Sequence, residues 1–392
     1  MKRPTGNMKS AVVVDCVRTP VGRAHGDQGV YRQVRSDDLA VGVLEALLER
    51  TAIRPEEIED VVLGNAKQEG EQGLDVARSV ALMAGVPMTA GAVTVNRLCG
   101  SSLQALSQAV HSIMAGFEDV QIIGGLEHMH RVPVDAHLDW NPKLFRCTSR
   151  GALNMGITAE FLAQRRGISR GSQDAFALDS HGKAAAAQAA GAFRRELVPT
   201  WGRDAAGCRI LVEADQGIRP DASAAALAAL EPAFLPGVGT VTAGNSSPLS
   251  DGAAAMLVMS ADKARDLGLK PLVRVVATAV AGVPPAVMGT GPVPATKKVL
   301  QRAGMRWSDV DLIEMNEAFA AQSIACIQEL DLDQQRVNVR GGAIAIGHPL
   351  GASGARIATT LIHAMIDRQA TIGLATMCIG LGQGIAIIVE RV

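Results

Sequence analysis

Two stretches of this chain, about 250 residues apart, carry the same pattern, and that repetition constrains the fold more than any other feature. Leu47-Leu48-Glu49-Arg50-Thr51-Ala52-Ile53-Arg54 and Val299-Leu300-Gln301-Arg302-Ala303-Gly304-Met305-Arg306 match without a gap, and the match continues at Ile58 and Val310 and at Val61 and Ile313. Each runs from a helix, through a short acidic link, into a strand. Farther on, Val93-Thr94-Val95 parallels Val337-Asn338-Val339, and Ile122-Ile123-Gly124-Gly125 parallels Ile372-Gly373-Leu374-Ala375. The period is far longer than the roughly 20–50 residues of a solenoid unit. The bland reading is that all helix–strand units look alike. The gapless stretch favours duplication instead, with two similar α/β halves in one chain.

In the first half, Ala11–Val14 reads as a buried strand, and Arg18–Arg23 as a polar turn. Asp37-Asp38 is expected to cap a helix that presents Leu39, Val43, Leu44, Leu47 and Leu48 on one face. Asp60–Gly64 reads as a strand, Asp75–Met83 as a helix, Ala92–Val95 as a buried strand and Val120–Gly125 as a strand ending in glycines. This βαβαβ order predicts a mostly parallel sheet with helices on its faces. The character changes after Glu127: Thr158–Arg166 and Ser172–Ala190 read as helices, Gly191–Arg219 as polar and irregular, and a strand returns at Ala253–Val258. The expected organisation is one half at 1–127 plus 246–270, an inserted loop domain at 128–245, and a second half at 271–392.

At 392 residues, 48% hydrophobic but only 3% aromatic, the chain draws its apolar content mostly from Ala, Val, Leu and Ile, alongside 41 glycines. That suits closely packed α/β layers. A net charge of -1 gives no sign of nucleic-acid binding or of a disordered tail. The six cysteines form no CxxC pair, which argues against a disulfide framework or a zinc site and for a reducing compartment. Met1–Lys9 has no apolar core of a secretory signal, Met8 offers an alternative start, and no apolar run is long enough to span a membrane.

Cys99 falls where the strand ending at Val95 gives way to a helix carrying Leu103, Leu106, Val110, Ile113 and Met114. Free N–H groups at a helix start favour a thiolate, so a lowered thiol pKa is expected. The bland alternative is a buried Cys acting as a small hydrophobe. Asn316, in Asn316-Glu317-Ala318-Phe319-Ala320, follows the strand Asp311–Met315, on the edge of a parallel sheet that ligands prefer. His348 sits among glycines in Gly341–Gly354, a loop that either binds phosphate or turns tightly and lacks the Lys of a P-loop. Cys378 reads as following the strand Ile372–Ala375, in the glycine turn around Gly380-Leu381-Gly382. One at a time each is unremarkable. Together they place two thiols, an imidazole and an amide at strand ends of two similar halves, where one crevice would hold a nucleophile, its base and a second proton carrier.

Four motifs, Val95-Asn96-Arg97-Leu98-Cys99-Gly100-Ser101-Ser102, Asn316-Glu317-Ala318-Phe319, Gly347-His348-Pro349-Leu350-Gly351 and Cys378-Ile379-Gly380-Leu381-Gly382, occur in this order. With them the chain resembles the thiolase family from Ala11 to Val392, and within it the degradative 3-ketoacyl-CoA thiolases of bacterial fatty-acid oxidation complexes. The resemblance implies a thiolase fold of two duplicated βαβαβαββ-type halves in a five-layered αβαβα arrangement with an inserted loop domain. It implies that Cys99 is acylated, that His348 takes its proton, that Asn316 positions a water in one oxyanion hole, that backbone N–H groups of Cys99 and Gly380 form a second, and that Cys378 moves the other proton. It carries Ser247, Met155, Arg219, Phe234, Ala243, Ala318 and Phe319 over as CoA contacts; for Arg219 the plain alternative is a solvated surface charge.

The implied reaction is CoA-dependent cleavage of 3-oxoacyl-CoA to acetyl-CoA and an acyl-CoA two carbons shorter. CoA is a substrate, and neither a metal nor a redox cofactor is implied. A cytoplasmic homodimer is implied, with a hydratase/dehydrogenase chain as a further partner. Thiolases specialised for acetoacetyl-CoA usually carry His-Met-Gly where this chain has Asn154-Met155-Gly156, which favours longer acyl chains. The rival readings are an acetoacetyl-CoA thiolase, a non-catalytic acyl-CoA-binding relative, and a ketoacyl synthase, against which Cys378 weighs.

Overall fold

The computed structural model describes residues 8–392. The expectation about a secretory leader rests largely on residues outside that range. In chain order the first half contributes β1 (Ala11–Arg18), β2 (Gly22–Arg23), α1 (Ser36–Thr51), β3 (Asp60–Gly64), α2 (Val76–Met83), β4 (Gly91–Val95), α3 (Ser101–Ala115) and β5 (Val120–His128). The next segment carries α4 (Met155–Arg166), α5 (Arg170–Ala189), a hairpin of β6 (Thr200–Arg203) and β7 (Arg209–Val212), and α6 (Ala224–Ala228). The chain returns through β8 (Ser250–Ser260) and α7 (Ala261–Asp266). It then builds β9 (Val273–Gly282), α8 (Pro292–Ala303), β10 (Leu312–Met315), α9 (Ala320–Leu330), α10 (Ala343–Ile346), α11 (Leu350–Arg368), β11 (Ile372–Ile379) and β12 (Gln383–Arg391).

The two halves repeat one sheet plan. The strand order is β4-β3-β5-β8-β1 in the first and β10-β11-β12-β9 in the second. In each, the pairs toward one side are parallel and the remaining pairs antiparallel. The place of β4 is taken in the second half by Val337, which bridges Ile313 in parallel. The segments matched in the sequence therefore occupy equivalent positions. The sheets meet where β1 pairs with β9 at Val12↔Arg274 and Val13↔Val273. The expectation of a mostly parallel sheet is corrected to a mixed one. β8 arrives only after the long insertion and lies antiparallel between β1 and β5.

Side-chain alternation along the strands builds three apolar clusters within five layers of structure, one of them filling both sides of the central helix layer. Val13 and Ile123 face inward to pack with α3 and α11, together with Ala375, Met377 and Ile387 of the other sheet. Val12, Val14 and Ile122 face outward onto α1 and α2. Leu374 and Ile388 face outward onto α8 and α9. The central helix α11 is buried from Gly351 to Met365. Burying each of its Ile357, Leu361 and Ile362 side chains is worth about 1.5–3 kcal/mol.

Local readings differ in four places. β4 is an edge strand rather than a buried one, and Val93 is 43% exposed, because among the described residues β4 pairs only with β3. Asp37 and Asp38 lie inside the first turn of α1, while the N-cap is Arg35, which pairs with Asp37. Gly191–Arg219 contains the β6–β7 hairpin. β11 runs on to Ile379, so Cys378 sits within a strand, opposite Gly384, and not in the turn after it.

Candidate active site

Cys99 lies two residues before α3 and His348 two residues before α11. These helices occupy equivalent places in the two halves, so the duplication itself supplies one reactive side chain from each. Their first turns meet at the C-terminal end of β3. A Cβ on Gly64 would lie 2.4 Å from the Ser102 nitrogen, and one on Gly351 would lie 2.8 Å from the Gly64 carbonyl oxygen. The Ala355 N–H donates to Ser102 Oγ at 2.9 Å. Glycine at these two positions is what lets both helices begin side by side.

The segment holding His348 is tightly determined. Its N–H donates to Ser250 Oγ at 3.0 Å. Ser353 Oγ donates to the Pro349 carbonyl at 2.8 Å, which leaves its lone pair to accept from His348 Nδ1 at 2.6 Å. The proton therefore belongs on Nδ1, and Nε2 presents a lone pair. Asn316 Nδ2 points at that lone pair from 3.3 Å. Burial, and then the nearby Arg356 guanidinium, push the imidazole down to about 3, so it rests neutral. Asn316 is itself fixed by its N–H, which donates to Thr376 O at 3.0 Å, two residues from Cys378.

Cys99 is half-buried at the end of a strained turn. Leu98 has φ +47°, a left-handed conformation uncommon for a residue with a side chain, held by Leu98 N–H donating to Asn96 Oδ1 and Ser101 Oγ donating to Leu98 O. Burial pushes the Cys99 thiol up to about 11, against the opposing effect of the Gly380 N–H and its own N–H. The lowered pKa expected from the helix start is thus corrected: desolvation outweighs the helix-terminal field. Cys378, buried, also has its thiol pushed up, by burial and then by the charge of Cys99. The Gly380 N–H acts on the Cys99 thiol and Cys99 acts on the Cys378 thiol, so Cys99, Cys378 and Gly380 share one locality.

Of the expected CoA contacts, Met155, Phe234, Ala318 and Phe319 form one apolar cluster with Cys378. Phe234 meets Phe319 edge-on at a centroid distance of 6.0 Å. Ser247 joins them by hydrogen bonds from N and Oγ to Ala318 O, at 3.0 and 3.1 Å. Ala243 and Arg219 are exposed; the Arg219 N–H donates to His181 Nδ1 at 3.2 Å, and no contact among the described residues ties Arg219 to the cluster. Asn154 caps α4 by accepting from Ile157 N–H at 3.1 Å. Sequence reading missed Ser353 and Arg356. Their only signal was helical spacing after His348.

A mixed α/β duplication with a thiol and an imidazole at matching helix starts is the arrangement of a thiolase fold. Residues 11–262 match the family model described as Thiolase, N-terminal domain, and residues 269–391 match that described as Thiolase, C-terminal domain. The chain belongs to the thiolase family. A 3-ketoacyl-CoA thiolase of Aeromonas salmonicida is 53% identical over 98% of this chain and 100% of its own length. One of Shewanella frigidimarina is 54% identical with the same coverage. The crystal structure of the Bacillus anthracis acetyl-CoA acetyltransferase superposes with a TM-score of 0.91 at 38% identity, covering 99% of this chain and 100% of that one.

Proposed function

We propose that this protein is a degradative 3-ketoacyl-CoA thiolase. The carrying observation is the Asn316–His348 pair, which leaves the basic lone pair on Nε2, in a fold that also sets Gly380 near Cys99. Cys99 gives its proton to His348 Nε2, and the sulfur attacks the 3-keto carbon. The bond between C2 and C3 breaks, its electron pair forms the enolate of acetyl-CoA, and the Cys378 thiol protonates that enolate at carbon. Incoming CoA then loses its proton to the Cys378 thiolate and attacks the acyl-Cys99 thioester. Cys99 leaves as a thiolate and recovers its proton from His348. Protonating Nε2 turns it into a donor, which releases the Asn316 amide to hold a water against the substrate oxygen. N–H groups of Cys99 and Gly380 hold the acyl oxygen. Each such donor is typically worth about 10²–10³ in rate.

The resting state suits this scheme: a neutral thiol and a neutral imidazole exchange a proton only when substrate arrives. CoA enters as a substrate, along the Met155–Phe234–Phe319 cluster and Ser247, with Ala243 and Arg219 nearer the surface. Relatives named 3-ketoacyl-CoA thiolase at about 53% identity support the longer-chain reading. The acetyltransferase likeness at 38% identity keeps acetoacetyl-CoA as the second substrate class, and Asn154 in place of the His of that class weighs against it. The same reading places the protein in cytoplasmic fatty-acid degradation, as a homodimer alone or with a hydratase/dehydrogenase chain. The unpaired edge of β4, flanked by exposed Met83 and Met88, supports pairing with a second copy. No helix among the described residues is long and apolar enough to cross a membrane.

Thiolysis rates across 3-oxoacyl-CoA substrates from four carbons to long chains, with Cys99→Ala as blank, test the proposal. Cleavage of medium and long chains by the native protein alone supports it. Activity on the four-carbon substrate only transfers the assignment to the second reading, and no activity with acyl-CoA still bound removes both.

A further inference from the structure

Three arginines, Arg18, Arg340 and Arg356, lie buried near α11. Arg18 is paired with Glu196 and Asp215, and Arg340 with Asp367. Arg356 is different. It is 1% exposed, belongs to none of the ion pairs of the described residues, and its Nε and Nη1 have no hydrogen-bond partner. Its one direct hydrogen bond runs from Nη2 to Asn316 Oδ1, at 3.5 Å. The acid that most influences it, Glu314, is equally buried and has both oxygens without a partner. Burial pushes that carboxyl up to about 8, and neither of its oxygens is hydrogen-bonded to the guanidinium. A buried, unpaired guanidinium is expensive, and a chain that keeps one has a use for it.

We infer that Arg356 is a positioning residue for the thiolase reaction, acting through Asn316, an inference that rests on the functional reading above. An Asn amide has two orientations that exchange oxygen for nitrogen. A donor fixed at Oδ1 turns Nδ2 toward His348. In the reversed amide, Oδ1 would accept a hydrogen bond from the imidazolium that forms when Cys99 gives up its proton. That bond would hold both groups away from the substrate oxygen. Ser353 and Arg356 are three residues apart on α11, on one face of the helix. One rigid, buried helix therefore orients His348 from behind through Ser353 and Asn316 from behind through Arg356.

The test compares wild type, Arg356→Met, Asn316→Ala and the double variant in steady-state thiolysis. Arg356→Met is expected to lower kcat about 10–100-fold with KM changed less than about twofold, the range seen when an outer partner of a reactive group is lost. In the Asn316→Ala background the same change is expected to cost less than about twofold, since its route is already gone. Full activity of Arg356→Met, or losses that multiply in the double variant, would overturn the inference. Should Arg356→Met fail to fold, a neutron crystal structure of Arg356→Lys, in which amide oxygen and nitrogen are told apart, decides together with its kcat. The expected result is an Asn316 amide turned from His348 with reduced kcat; an unchanged amide with full kcat refutes it. Wild type without any thiolysis would fail the functional reading instead, and the amide orientation in Arg356→Lys would still settle this one.

Discussion

The Nδ2 atom of Asn316 lies 3.3 Å from Nε2 of His348, and the two residues are 32 positions apart in the second half: one follows β10, the other precedes α11. Their pairing defines which imidazole nitrogen is the base, because Ser353 already occupies the other.

Ser353→Ala removes the acceptor that holds Nδ1–H. The imidazole then loses its fixed tautomer, and kcat is expected to fall about tenfold, equivalent to about 1.4 kcal/mol, with KM for the acyl-CoA nearly unchanged. Steady-state kinetics check this, and a rise in KM at constant kcat would contradict it.

The resting charge state of Cys99 has a direct chemical readout. With its thiol held up to about 11, the thiolate fraction is small near neutral pH and grows as pH rises. Iodoacetamide labelling of Cys99, followed by peptide mass spectrometry to separate it from exposed Cys147 and Cys208, should accelerate about tenfold per pH unit from about pH 7 to about pH 10. A plateau near neutral pH would show a resting thiolate–imidazolium pair instead.

A methyl group at Gly351 would meet only backbone: Leu126 O at 2.5 Å, the Asn65 Cα at 2.7 Å and Gly64 O at 2.8 Å. Gly351→Ala must therefore push α11 from β3, at a cost of about 1–3 kcal/mol. The thermal midpoint should drop, and activity should fall further than the folded fraction explains, since His348 rides on that helix.

Arg18 donates to both Asp215 oxygens at 2.6 and 2.9 Å and to Glu196 at 2.8 Å, all fully buried. Arg18→Met strands two carboxylates in the core. The expected destabilisation is about 3–5 kcal/mol, read as a lower urea midpoint. A midpoint close to wild type would mean the acids are protonated or rehydrated at little cost.

Cys99, Asn316 and His348 stand out in the sequence because each lies beside a strand end or a helix start, whereas Cys378 reads as a turn residue and lies inside β11. The duplication was legible for the same reason, since helix–link–strand periodicity is written in consecutive residues. The misreadings share one cause. The sequence alone reads β4 as buried, does not place β8 between β1 and β5, and makes the Cys99 thiol acidic. Each depends on what lies opposite a residue in space. Ser353 and Arg356 escaped notice likewise: on a helix they look like ordinary polar residues until Pro349, His348 and Asn316 are placed beside them.

The amino-acid sequence by itself determined the two-half architecture, the candidate residues for the chemistry and the order in which the chain presents them. These follow from local periodicity and from residue types that have few other uses in those settings. Tertiary structure decided the protonation states, the tautomer of His348, the orientation of Asn316 and the exposure of β4. Those are set by desolvation and by hydrogen bonds between residues far apart in the chain, and such terms exist only once the layers have closed around them.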